Sequence, residues 1–85
     1  MPNMQVTIKY FASVREAIGK ASEQRETAAS TLAGLRDELL AVGPVYACLA
    51  RNNAVRMALS QVMSDETALL SPGCEEAFFP PVTGG

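Results

Sequence analysis

A chain of 85 residues with 48% hydrophobic side chains can close one modest core and leaves no room for a second domain. A formal charge of −2 with no basic cluster gives no electrostatic footprint for nucleic acid or an anionic membrane, so the expected partners are proteins. No run approaches the roughly 18 apolar residues of a membrane span, and Met1-Pro2-Asn3-Met4 lacks the regions of a signal peptide, so the expected location is cytoplasmic.

From Met4 to Phe11, Val6, Ile8 and Tyr10 alternate with Gln5, Thr7 and Lys9, the period-two pattern of a strand with one buried face. Phe11 falls on the polar parity and either emerges exposed at the strand end or tucks under the next loop. Ser13-Val14-Arg15-Glu16 fits a capping box, Val14 and Ile18 share one helical face, and Gly19 suits the left-handed residue that ends such a turn. Ala21 to Ala28 is polar, and its place after a turn predicts an edge strand whose charges discourage aggregation.

Ser30 or Thr31 caps the main helix, in which Leu32, Leu35, Leu39 and Val42 form the apolar stripe while Arg36, Asp37 and Glu38 face water. Gly34 inside that helix points to close packing on a sheet, and Gly43-Pro44 stops the helix. Val45 to Ala54 has no clear period, with Arg51-Asn52-Asn53 marking a turn. Arg56 to Gln61 alternates again as a third strand, and Val62-Met63 forms a short further one. Ser71-Pro72-Gly73-Cys74 suits a type II turn with Gly at its positive-φ position, and Glu75 to Phe79 is the final strand.

Glu76 is the last charged side chain, and the closing run Phe78-Phe79-Pro80-Pro81-Val82-Thr83-Gly84-Gly85 departs from the composition of a soluble surface. Pro80 cannot donate to a ladder, so pairing weakens there and releases the chain. Adjacent prolines favour an extended rod, giving the six residues after Phe79 a reach of about 19 Å at roughly 3.1 Å each. Gly84 and Gly85, without Cβ atoms, suit close approach within a narrow channel of a partner.

In that order these tail residues closely resemble the small subunit of molybdopterin synthase, a ubiquitin-like sulfur carrier, as does the run Phe11-Ala12-Ser13-Val14-Arg15-Glu16 closing at Gly19. Periodicity alone supports a small α+β domain; the resemblance implies the β-grasp fold, a mixed sheet holding one helix. It divides the chain into a domain, residues 1–79, and an extended tail, 80–85, carrying the reactive glycine. Two departures stand out: Leu59-Ser60-Gln61 where the family often has an Asn after an apolar residue, and Gly73-Cys74-Glu75-Glu76 where Gly-Asp-Glu and an apolar residue are common.

The chain itself holds no conventional catalytic constellation. Without His, neither a Ser-His-Asp nor a Cys-His arrangement is possible, and two cysteines without His are a poor basis for structural zinc, so no metal is expected. Cys48 reads as a small buried hydrophobe and Cys74 as exposed in its turn, neither with a base nearby. The resemblance places the chemistry at Gly85, adenylated by a separate activating enzyme that uses ATP and then converted to a thiocarboxylate by a sulfur donor protein. The chain binds no cofactor of its own. Phe11, Phe79, Pro80, Pro81, Val82, Thr83 and Gly84 are the implied partner-binding residues. The implied destination is the active site of the large synthase subunit, two copies of each forming a heterotetramer, where cyclic pyranopterin monophosphate becomes molybdopterin. A carrier for thiamine or sulfur-containing amino acids, a modifier joined to lysines and a noncovalent interaction domain remain as other readings, and Phe78 to Thr83 favours the first.

Overall fold

Val6, Ile8 and Tyr10 are fully buried along one face of a strand, β1 (Met4–Tyr10), as their spacing requires. The computed structural model describes residues 3–50 and 55–80. After β1 come α1 (Ala12–Ile18), β2 (Ser22–Thr27), α2 (Leu32–Val42), a 3₁₀ helix (Pro44–Leu49), β3 (Arg56–Leu59), β4 (Val62–Ser64) and β5 (Glu75–Phe79). The sheet has five strands in the order β2-β1-β5-β3-β4. β1 and β5 are parallel neighbours, and the other pairs are antiparallel. The polar segment after the first turn is therefore the edge strand expected of it, and the final strand is central.

Helix α1 begins earlier than the capping box predicts. Phe11 is its N-cap, without a side-chain cap, and Ser13 lies inside the helix. The reason is that β1 pairing runs on: the Phe11 amide donates to the Phe78 carbonyl at 3.1 Å, and the chain must turn at once. Ala12 takes φ 52°, a left-handed conformation that costs a residue with a Cβ about 1–2 kcal/mol. Gly19 ends the helix in the expected left-handed conformation, at φ 92°, and Val14 and Ile18 are buried.

Thr31 caps α2, its hydroxyl accepting from the Gly34 amide at 3.2 Å. Leu32, Leu35 and Leu39 are completely buried, but Val42 is exposed, because α2 ends there and Gly43-Pro44 turns the chain into the 3₁₀ helix. Arg36 does not face water: it is buried and its guanidinium donates to Glu66 at 2.9 Å. Gly34 is crowded by the connector before α2 rather than by the sheet, since a Cβ there would stand 3.1 Å from that of Ala29. The 3₁₀ helix contributes Tyr46 and Leu49 to the core, packing where the sequence shows no regular period.

β3 stops at Leu59 instead of reaching Gln61. Ser60 and Gln61, both at positive φ, form a two-residue hairpin loop to β4, with Leu59 opposite Val62. The turn expected at Arg51-Asn52-Asn53 lies outside the described residues. The Ser71–Cys74 turn is present, with Gly73 at φ 78° and the Cys74 amide donating to Ser71 at 3.0 Å. The Gly73 amide also donates to the Gln5 carbonyl at 2.8 Å, which ties the turn to β1 and draws Cys74 into the core, against the expected exposure. Cys48 is half-buried. This mixed sheet with α2 contributing to its single core is a β-grasp domain.

Candidate functional site

The site is the end of the sheet at which β5 finishes, and parity within β5 builds it. Phe78 points into the core, where it stacks on Tyr10 with ring centroids 6.2 Å apart. Phe79, one residue on, turns to the other face and meets Phe11 edge-on, at 6.4 Å and 81°. Phe11 is 47% exposed and Phe79 partly so, which resolves the two sequence readings of Phe11 in favour of an exposed aromatic. An edge-to-face pair presents both apolar surface and directional polarity to a partner. The left-handed Ala12 helps place Phe11 here, because it lets the chain leave the strand within one residue.

Pro80 continues from β5 without strand pairing and is partly exposed, in keeping with its missing donor. The structure thus brings together Phe11, Phe79 and Pro80. The remaining expected residues, Pro81, Val82, Thr83, Gly84 and Gly85, lie outside the described residues.

A network missed at the sequence level anchors the base of this site. The hydroxyls of Tyr10 and Tyr46 both donate to Glu23 Oε2, at 2.6 and 2.7 Å, joining β1, β2 and the 3₁₀ helix. Burial opposes ionisation of Glu23, but the two tyrosine hydrogen bonds and Lys20 outweigh it and hold the carboxyl below its usual value. Burial, followed by the Glu23 interactions, raises both phenols. Replacing Glu23 by Ala is expected to cost about 2–4 kcal/mol in urea unfolding at neutral pH, because two tyrosine hydroxyls lose a charged acceptor. Glu23's contribution is fully present above the ordinary glutamate range and disappears as pH falls through its lowered pKa, so the wild-type advantage over Glu23→Ala should shrink in acid.

The site has no built-in catalyst among the described residues. Burial raises the thiols of both Cys48 and Cys74, making them poor nucleophiles. Among the described residues no group of three or more His, Cys, Asp or Glu side chains is placed to hold a metal ion, and no helix is long and apolar enough to cross a membrane. What the arrangement supplies is an anchored strand end, an exposed aromatic pair and, at Pro80, an unpaired residue directly after the last strand.

The ThiS family profile matches residues 8–85. A molybdopterin synthase sulfur carrier subunit of Haemophilus influenzae is 32% identical over 80 residues, covering 94% of this chain and 99% of the relative. In a Helicobacter pylori complex of subunits 1 and 2 of molybdopterin-converting factor, one chain superposes with TM-score 0.62 at 25% identity, with 96% of this chain and 100% of that one covered. SAMP1 of Haloferax volcanii shares the fold, with TM-score 0.75 at 21% identity, covering 95% of this chain and 99% of that one. A sheet with its last strand at the centre, an aromatic pair at that strand's exit and a match running through the final glycine lead to one assignment: the chain belongs to the ThiS family of small β-grasp proteins.

Proposed function

We propose that this chain is the sulfur carrier and small subunit of a molybdopterin synthase. The observation that carries the reading is the exposed Phe11–Phe79 pair at the end of β5, where the sequence continues Pro-Pro-Val-Thr-Gly-Gly, in a chain 32% identical to a relative named for that role. Residues 1–79 act as the docking body and residues 80–85 as the arm. The large subunit is the proposed recipient, supported by the Helicobacter pylori complex of subunits 1 and 2, and we propose an assembly with two copies of each subunit. An activating enzyme and a sulfur donor protein are the further partners, and the working location is the cytoplasm.

The chemistry follows from the weakness of a carboxylate as an electrophile. A Gly85 oxygen attacks the α-phosphorus of ATP, pyrophosphate leaves, and the acyl adenylate forms on the activating enzyme. Sulfur supplied at the sulfide level by the donor then attacks the acyl carbon and AMP departs, leaving a thiocarboxylate. The arm carries this sulfur nucleophile into the large subunit, which provides the acid, base and substrate contacts, and two deliveries complete the dithiolene of molybdopterin. This chain supplies a positioned reactant, and its catalytic contribution is one of proximity.

Incubation with the activating enzyme, ATP and a sulfur source should add the mass difference between sulfur and oxygen, located by fragmentation at Gly85. The loaded chain should convert cyclic pyranopterin monophosphate to molybdopterin once the large subunit is added. Loading without conversion would move the assignment to a carrier for another pathway, and attachment to protein lysines as the main fate would move it to a modifier. Alanine at both Phe11 and Phe79 should weaken binding to the large subunit by at least about tenfold, since desolvated aromatics commonly anchor an interface. Titration calorimetry checks this, and unchanged affinity with an intact fold would remove the pair from the interface.

A further inference from the structure

The proposed sulfur delivery makes no use of Glu76, yet this residue lies buried in the central strand of the sheet. It lies on the core face of β5 with Phe78, completely buried, and its cross-strand neighbours are Ile8 on β1 and Leu59 on β3. Cys74, also buried, donates its thiol to Glu76 Oε1 at 3.4 Å, while Oε2 is buried and has no hydrogen-bond partner among the described residues. Among the described residues the surrounding charges offer no relief. Glu75, on the opposite face, bears a like charge and pairs with Lys9 at 3.6 Å. Arg36, the buried cation of α2, is held by Glu66 at 2.9 Å, and Tyr10, on the core face of β1, gives its hydroxyl to Glu23. The other core positions of α2 are Leu32, Leu35 and Leu39.

A buried carboxylate with only the Cys74 thiol and its own backbone amide as donors, and no paired cation among the described residues, is unfavourable, whereas the neutral acid needs far less solvation. We infer that Glu76 is a proton-operated latch: β5 seats with this side chain as the neutral acid, and unseating the strand into water releases one proton to solvent. The latch goes beyond the sulfur-carrier reading and does not depend on it; only its consequence for the arm does. Because the arm continues directly from β5, the latch sets how firmly the arm's base is held.

The direction of the pH dependence follows from the burial of Glu76, which raises its pKa from 4.5 to about 7. Below the lower value the residue is protonated whether the strand is seated or not, and the latch is fully closed. Between the two values each opening releases a proton, so the opening constant rises by up to about tenfold per pH unit, and above the upper value the dependence ends. Glu23 and Asp65, both shifted downward, titrate outside this window.

The test uses the full chain as wild type, Glu76→Gln and Glu76→Leu, with urea unfolding and β5 amide exchange, corrected for intrinsic rates, from about pH 5 to about pH 8. The wild-type opening constant should rise by up to about a hundredfold between about pH 5 and pH 7, and both variants should lose that rise. Carbon NMR should show the Glu76 carboxyl titrating near neutrality in the folded protein. Parallel wild-type and variant profiles through this window would overturn the proposal, as would a Glu76 titration in the ordinary glutamate range. The second measurement needs only the wild type, so it decides the matter even if a variant fails to fold.

Discussion

Deleting Gly85, or adding one residue beyond it, is expected to abolish sulfur loading while leaving thermal and urea midpoints unchanged. The proposed reaction needs a carboxylate at one position in the activating enzyme, and one added residue moves it by up to about 3.5 Å. Misplacement by even about 1 Å can cost a hundredfold in rate, so loss of at least that size is expected. Folding should be indifferent, because among the described residues the core's last side chain is Phe78 and the sheet's last paired residue is Phe79. Mass spectrometry after a timed incubation with the activating enzyme, alongside calorimetry of the same samples, separates the two effects. An extended chain that loads sulfur at the wild-type rate would remove Gly85 from the reaction.

The second large effect is expected one strand pair into the core. Phe78→Ala removes a fully buried ring that faces Tyr10 on β1 and Met57 on β3, and its loss should cost about 3–5 kcal/mol. Domains of this kind have total stabilities of about 5–15 kcal/mol, so much of the margin disappears. The melting temperature should fall by at least about 12 °C, given about 4–8 °C per kcal/mol at this size. Phe79→Ala, one residue away on the other face, should cost about 1 kcal/mol or less, since that ring is only partly covered. Equal losses for the two would contradict the division of β5 into a core face and a docking face.

Much of this architecture is legible because the chain obeys local rules. Val6, Ile8 and Tyr10 display the strand period, Thr31 the helix cap, and Gly73 the turn that sets up β5. The failures occur where tertiary contacts outrank local preference. Ser13 loses its predicted cap because pairing of Phe11 with Phe78 starts the helix sooner. Arg36 is drawn inward because Glu66, distant in sequence, receives it. Ser60 and Gln61 make a positive-φ hairpin without the Asn-Gly signature that announces one. Glu76 shares a face with Phe78, so parity points it inward against the usual exposure of a charged side chain. Of the site, Phe79 and Pro80 are readable from their positions at the end of the final strand and Phe11 admits two placements, while the Tyr10–Glu23–Tyr46 network joins segments that no local pattern connects.

The sheet order has a consequence for biosynthesis. Translation runs from β1 toward β5, yet β5 is the strand between β1 and β3, so the middle of the sheet is the last of its strands to be made. Until then β1 has β2 on one side and an open row of backbone donors and acceptors on the other, and closure must join Thr7 to Glu75 across most of the chain. Such long-range closure is slow, and it leaves the nascent chain with an adhesive edge for chaperones to shield. A ribosome that stalls before Glu75 yields a product lacking its central strand, which the cell's proteases can recognise as unfinished. Any copy that reaches the folded state has therefore been read through Phe79, the end of its central strand.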